Sequence, residues 1–379
     1  MTPLELPFES DTMLAGLRPW IETESPTWDA AAVNRMMDVA ARELFLLGAQ
    51  VERIPGAVEP SGVQMGGSIR ARFGHPKAGE PGILILGHLD TVHPLGTLKV
   101  LPFRRDETRA WGPGLCDMKG GNYLTLEAIR QLAQAGIATK LPVTVLFTPD
   151  EEIGSPTSRA LIEAEASRAK VVLVPEPGLQ GGGVTTGRFA IARFNLKAKG
   201  RPSHAGAWLA QGRSAIRELC RRVVQIEDMT TEACTFSVGV FHGGTWVNCV
   251  SSEARAEVLS MAKRQADLDR GVEAMLALSD DEAGFAVTRG VTRPVWEPSS
   301  ATLELAAITE ALHREVGIGF SHKSQGGGSD GNFTGAMRVP TLDGLGVEGD
   351  GIHTLNEHID IPSLVARAQV MAGLLARLH

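Results

Sequence analysis

Apolar and polar positions along this chain follow one grammar, switch to a second and return to the first. Apolar residues recur at helical spacing from Val33 through Met36, Met37, Val39, Ala40 and Leu44. That spacing predicts an amphipathic helix over 30–47, capped by Asp29 or alternatively by Thr27. Near-continuous apolar runs at 83–87, 143–147 and 171–174 alternate with helical patterns at 123–134 and 158–166. Such runs read as strands of a mostly parallel sheet buried on both faces, and 341–347 reads as one more.

After Gly187 the pattern changes to a strand with one apolar face (Ala190, Ala192, Phe194, Leu196), then a helix at 212–228. Strands at 235–241 and 254–259, a helix at 266–278 and a strand at 284–288 complete the order βαββαβ, the ferredoxin-like plan. From Ser299 the first grammar resumes with a helix to about Val316, a loop over 324–331, a strand near 340–345 and a closing helix over 361–378. The expectation is a discontinuous α/β domain, residues 1–187 and 294–379, with a mixed, mostly parallel sheet and helices on both faces. An inserted ferredoxin-like α+β domain occupies 188–293 in this reading.

Composition narrows the function. A chain of 379 residues exceeds the size at which one core stops growing, which agrees with two domains. Its 43% apolar and 21% charged content is that of a soluble globular protein. A net charge of -7 argues against nucleic acid or an anionic membrane surface as partner. Glu5, Glu9 and Asp11 stand where a secretory signal needs a basic start, and no apolar run approaches bilayer-spanning length. Cys116, Cys220, Cys234 and Cys249 lack the density of a disulfide scaffold, so the cytoplasm is the expected compartment and Cys116 is expected as buried filler.

The apolar runs end in acids and histidines: His88-Leu-Asp90, Asp150-Glu151-Glu152, Glu176 and, after the last run, His353. In an open α/β sheet, ligands gather at the carboxyl ends of the strands, so these side chains can converge in one crevice. Asp90, two residues past His88, is placed to accept the imidazole's second N–H and orient it. Asp117 lies among glycines just before a helix, where negative charge is favoured. Asp117, Glu152, Glu176, His88 and His353 form an N/O donor set suited to zinc. Five donors exceed what one tetrahedral ion with an open position needs. A carboxylate bridging two ions roughly 3.5 to 4 Å apart resolves the count. Of the adjacent glutamates, one can bind metal while the other faces a substrate water.

These motifs, together with Gly112-Pro-Gly-Leu-Cys-Asp117-Met-Lys-Gly-Gly, Ser203-His204-Ala-Gly and Gly326-Gly-Gly-Ser-Asp330, resemble a known family. It is the zinc exopeptidase family of glutamate carboxypeptidase, aminoacylase, acetylornithine deacetylase and succinyl-diaminopimelate desuccinylase. The resemblance implies two Zn2+ per subunit, with Mn2+ or Co2+ as substitutes. It implies that Asp117 bridges them, that His88 and Glu176 complete one site, and that Glu152 and His353 complete the other. By the same resemblance Glu151 is the general base, His204 stabilises the oxyanion, and the inserted domain is a lid that also forms a homodimer. The substrate it implies is a small peptide or N-acyl amino acid. Asn248 matches a lid asparagine that contacts substrate, and Gly328 and Arg293 are further substrate-contact candidates, Arg293 through paired hydrogen bonds to a carboxylate. Where the family commonly carries aspartate-x-arginine, this chain has Leu259 and Met261, and Gln180-Gly-Gly-Gly-Val184 replaces a lysine-bearing loop.

Two rivals remain. Gly327-Gly-Ser-Asp-Gly331 satisfies the G-x-S-x-G pattern of serine esterases, with Asp343 or Asp350 and His353 in the right order, but the preceding segment is polar where an elbow needs an apolar strand. A non-catalytic binding module predicts loss of the base or a ligand, yet Glu151 and all five ligand positions are present.

Overall fold

Isoleucine, leucine and valine crowd three central strands, Gly82–His88, Val143–Thr148 and Ala169–Leu173, in the computed structural model, which describes residues 2–379. Alternation along Gly82–His88 sends Ile83 and Ile85 to one core, with Val145 and Phe147, and Leu84 and Leu86 to another, with Leu146, Ile162 and Phe333. Burial on both faces explains why these runs are continuous rather than alternating. The six-stranded sheet runs Gln50–Ile54, Ser68–Arg72, Val143–Thr148, Gly82–His88, Ala169–Leu173, Thr341–Leu342. The last four are mutually parallel and the first two join antiparallel, so the sheet is mixed and mostly parallel as expected.

Helices Ser10–Glu22, Ala30–Leu46, Gly120–Gln134 and Ile361–Arg377 cover the larger core, and Arg159–Ala166 with Gly331–Ala336 contributes to the smaller. Asp29 caps Ala30–Leu46 by accepting from the Ala32 N–H. Thr27, the alternative cap, instead donates its hydroxyl to Asp90 at 2.8 Å.

Two local expectations change. The run 341–347 is strand only at Thr341–Leu342, because the chain then turns through Gly344 at φ +70 and presses Gly346 against Pro175, where a Cβ would lie 2.3 Å from the carbonyl oxygen. The loop 324–331 begins inside a short strand, His322–Gln325, which pairs with Val184–Arg188.

Contacts divide the chain into two compact units: residues up to Gly187 with Glu297–Gln325 and Ser329–His379, and Arg188–Trp296 with Gly326–Gly328. In the second, the antiparallel strands Cys234–Gly243, Glu253–Ala262, Ala190–Lys199 and Phe285–Arg293 lie in that order. With helices Ala215–Glu227 and Gln265–Leu276 they give the ferredoxin-like βαββαβ arrangement. Its core is Phe194, Leu196, Phe236, Val258, Leu268, Met275 and Phe285.

Candidate metal centre

His88 closes its strand as a buried side chain, 1% exposed. Asn122 donates to its carbonyl at 2.7 Å, and a Cβ on Gly87 would meet that Asn122 oxygen at 2.1 Å, so glycine is needed there. The ring's Nδ1 lies 3.0 Å from the backbone carbonyl of Asp90, while Nε2 lies 3.2 Å from Asp117 Oδ1 and 3.7 Å from Glu176 Oε1. Asp90 thus meets His88 Nδ1 with its backbone carbonyl as well as with the carboxylate that the sequence assigned to it, which is 3.4 Å away. The carboxylate oxygens also accept the N–H groups of Glu151 and Glu152, each at 3.2 Å. Asp90 therefore ties the histidine to the acidic turn.

Asp117 offers one oxygen to each histidine: Oδ1 to His88 and Oδ2 to His353, both at 3.2 Å from Nε2. His353 Nε2 also lies 3.1 Å from Glu152 Oε2. His353 does not end a sheet strand, contrary to expectation. It sits in the turn between Gly349–Asp350 and His358–Asp360 at φ +64, and its side chain is 51% exposed. Ligand atoms of His88, Glu151 and Glu176 lie within 4.8 Å of one another, as do those of His88, Asp117 and Glu152. The six side chains expected in the crevice are thus brought together.

Electrostatics in this cluster call for positive charge. Burial, then the neighbouring Asp117, pushes Glu176 well above the usual carboxylate range, and the same two causes raise Glu152. Hydrogen bonds to Asp117 and then Glu152 lift His353 to about 10. For His88, burial pushes it down, but bonds to Asp117 and Asp90 and the nearby charges of Glu176 and Asp90 together lift it well above its ordinary value. Asp117 goes the other way: against burial, His353 and His88 hold it below its ordinary value. Bound divalent cations would offset the negative charge crowded here, and two imidazoles among carboxylates are the donors zinc takes.

Three supporting residues had no individual role assigned from the sequence. Asp150, beside the candidate base, accepts from the Thr157 N–H and hydroxyl, each at 2.7 Å, and from Ser158, whose hydroxyl goes there rather than to its own helix. Burial, opposed by Ser158 and Thr157, raises Asp150 to about 6. Lys119, 1% exposed, donates to the Thr23 carbonyl at 2.8 Å, and burial lowers it to about 7. Glu357, also 1% exposed, accepts three backbone N–H groups of the Asp117 loop. An acid four residues past His353 is the one mark of it in the sequence.

The remaining candidates lie in the second unit. His204 is exposed, and its Nδ1 accepts from the N–H groups of Gly206 and Ala207 at 3.2 and 3.1 Å, which leaves the proton on an outward Nε2. Asn248 is its neighbour, since the Ala205 N–H donates to the Asn248 carbonyl at 2.9 Å and His204 bridges Cys249. Arg293 is buried, 4% exposed, and packs against Gly328, where a Cβ would lie 2.6 Å from Arg293 Cδ. Met261 lies 3.7 Å from a Cβ position on Gly326. In the first unit Ser329 is fully buried and gives its hydroxyl to Asp343 at 2.6 Å, while His353 faces Asp117 and Glu152, so the serine-esterase arrangement does not form. Cys116 is buried, as expected of filler.

Comparison with known proteins identifies the family. Residues 84–377 match the model of peptidase family M20/M25/M40. Carboxypeptidase G2 of Pseudomonas sp. (strain RS-16) is 30% identical, covering 97% of this chain and 89% of that protein. Succinyl-diaminopimelate desuccinylase of Acidovorax ebreus (strain TPSY) is 27% identical, covering 85% and 88%. In fold, an M20 family metallo-carboxypeptidase from Sulfolobus solfataricus superposes with a TM-score of 0.76 at 15% identity, covering 96% of this chain and 98% of that one. With a family model spanning both units and a relative matched along nearly its whole length, the chain belongs to peptidase family M20/M25/M40 and is a hydrolytic metallopeptidase.

Proposed function

We propose that the protein is a two-zinc carboxypeptidase-like amidohydrolase that releases a C-terminal or N-acylated amino acid from a small peptide or N-acyl amino acid. The observation that carries this reading is Asp117, which turns one carboxylate oxygen to each of two histidines. His88 and Glu176 would hold one ion, Glu152 and His353 the other, and Asp117 would serve both. When bound, the ions supply Lewis acidity and lower the pKa of the attacking water.

The protein's own groups do the rest. Glu151, whose N–H is held by Asp90, takes the proton from the attacking water and returns it to the leaving nitrogen. His204, with its proton on Nε2, is a donor for the developing oxyanion, and Asn248, Arg293 and Gly328 are substrate contacts. Cys234–Gly243 is an edge strand of its sheet and carries exposed Val240 and Phe241, and exposed Trp246 and Val247 lie just past it, which supports a homodimer through this unit. Met261 in place of an arginine, together with the similarity to desuccinylases, favours a second reading in which the substrate is an N-acyl amino acid with a short acyl group.

The test is a panel of peptidyl and N-acyl substrates varied at the released residue, assayed with zinc, manganese and cobalt. Chelation is expected to abolish hydrolysis and zinc to restore it. Activity that survives chelation, or that a serine-directed phosphonate blocks, sinks the reading.

A further inference from the structure

We infer that Glu357 is a positioning residue that sets the shared ligand Asp117 for both metal sites at once. Its carboxylate is saturated: Oε1 accepts from the N–H groups of Cys116 at 2.8 Å and Asp117 at 3.1 Å, and Oε2 from the Gly114 N–H at 2.9 Å and His93 Nε2 at 2.6 Å. The loop needs this outside acceptor. Asp117, at φ -117 and ψ 96, and Met118 leave helical geometry inside the wound segment Leu115–Lys119, so the Cys116 and Asp117 N–H groups take a side-chain acceptor. An ionised acceptor binds several backbone donors more strongly than a neutral one, and here it fixes the loop from which the Asp117 side chain projects.

Glu357 also belongs to the other ligand's segment. It lies four residues past His353 in the same turn, which is tight enough that a Cβ on Gly351 would meet the Asn356 carbonyl oxygen at 2.5 Å. Its own carbonyl accepts from the Gly112 N–H at 3.3 Å. One residue therefore clamps the loop of Asp117 to the turn of His353, and the spacing between their ligand atoms follows from that clamp. Groups that orient a metal ligand are worth about 10–100-fold in metal affinity. Because Asp117 serves both ions, loss of Glu357 weakens both together rather than one alone.

This inference rests on the assignment of Asp117 as the shared ligand, and its test separates the two. Full-length wild type, Glu357→Gln, Glu357→Ala and Glu165→Gln are titrated with Zn2+ against a chelating dye, and the metal-free unfolding temperature is measured alongside. Glu165, buried and bonded to Arg70 and Arg72, controls for loss of a buried carboxylate elsewhere in the unit. The near-isosteric glutamine keeps one acceptor oxygen but turns N–H groups toward backbone donors. Glu357→Gln is expected to lower the affinity of both sites by about 10–100-fold, with Glu165→Gln unchanged. Affinities of Glu357→Gln within twofold of wild type, loss at one site only, or an equal loss in Glu165→Gln overturn it. Wild type binding fewer than two ions sinks the two-zinc reading, and the ratio of variant to wild type still decides the role of Glu357.

Discussion

The turn that carries Glu151 and Glu152 points these neighbouring side chains at different partners. Glu152 reaches His353, while Glu151 falls in the group with His88 and Glu176, although the two share a turn and the same carboxylate, Asp90, holds both their N–H groups. In the proposed function Glu151 moves protons and holds no ion on its own, so it can be removed without emptying the site. Glu151→Gln is therefore expected to lower kcat by about 10²–10⁴-fold while zinc content stays at the wild-type level, measured by turnover and elemental analysis of the same sample. Parallel loss of metal in that variant makes Glu151 a ligand instead.

At the scale of elements, helix ends and buried polar groups carry the measurable energies. Removing the Asp29 side chain leaves the Ala32 N–H without its cap, so Asp29→Ala is expected to cost about 1 kcal/mol in denaturant unfolding. His313, fully buried in Ser300–Val316, donates from Nδ1 to the Thr309 carbonyl at 2.8 Å and accepts at Nε2 from Arg367 at 3.2 Å. Burial and the Arg367 charge push it down to about 4 from 6.5. Between those values the unfolded chain binds a proton that the native state refuses, so this contribution to stability is lost as pH falls through the window. In chelator-treated protein, the drop in stability from pH 7.5 to 4.5 is expected to be about 2 kcal/mol larger for wild type than for His313→Gln, read from denaturant midpoints.

Elements were legible in the sequence where one physical cause dominated. Burial on both faces made Gly82–His88 and Val143–Thr148 plain, and one-sided burial did the same for Ala190–Lys199. Ser10–Glu22 stayed hidden because Pro19 lies within it, and Gln50–Ile54 because its outward Glu52 and Arg53 dilute the strand pattern. His353 was reached from the apolar run before it, although that run stops being strand at Leu342 and the histidine sits in a turn further on. Glu357 left almost no mark, because a carboxylate that accepts backbone N–H groups needs no particular spacing from its partners.

For the whole molecule, the edge of the second unit's sheet is the exposed feature with the largest consequence. Cys234–Gly243 ends with Val240 36% and Phe241 40% exposed, an apolar rim that a single chain leaves open to pairing. Replacing both with lysine is expected to convert a dimer to monomers in sedimentation experiments, with zinc content unchanged. A wild type already monomeric at micromolar concentration removes the dimer from the proposal.

The two histidines also differ in a way that reaches beyond geometry. His88 is sealed at 1% exposure while His353 stands 51% open, so ions seated on them face different barriers to escape. Under the two-ion reading, the His353 position trades its metal quickly with the surroundings and the His88 position keeps its own. Brief exposure to chelator followed by a second metal is then expected to yield a hybrid centre, with the newcomer on the His353 side. On that reading the centre's composition would record the metals the protein has met most recently at one position and the supply present when it first took up metal at the other.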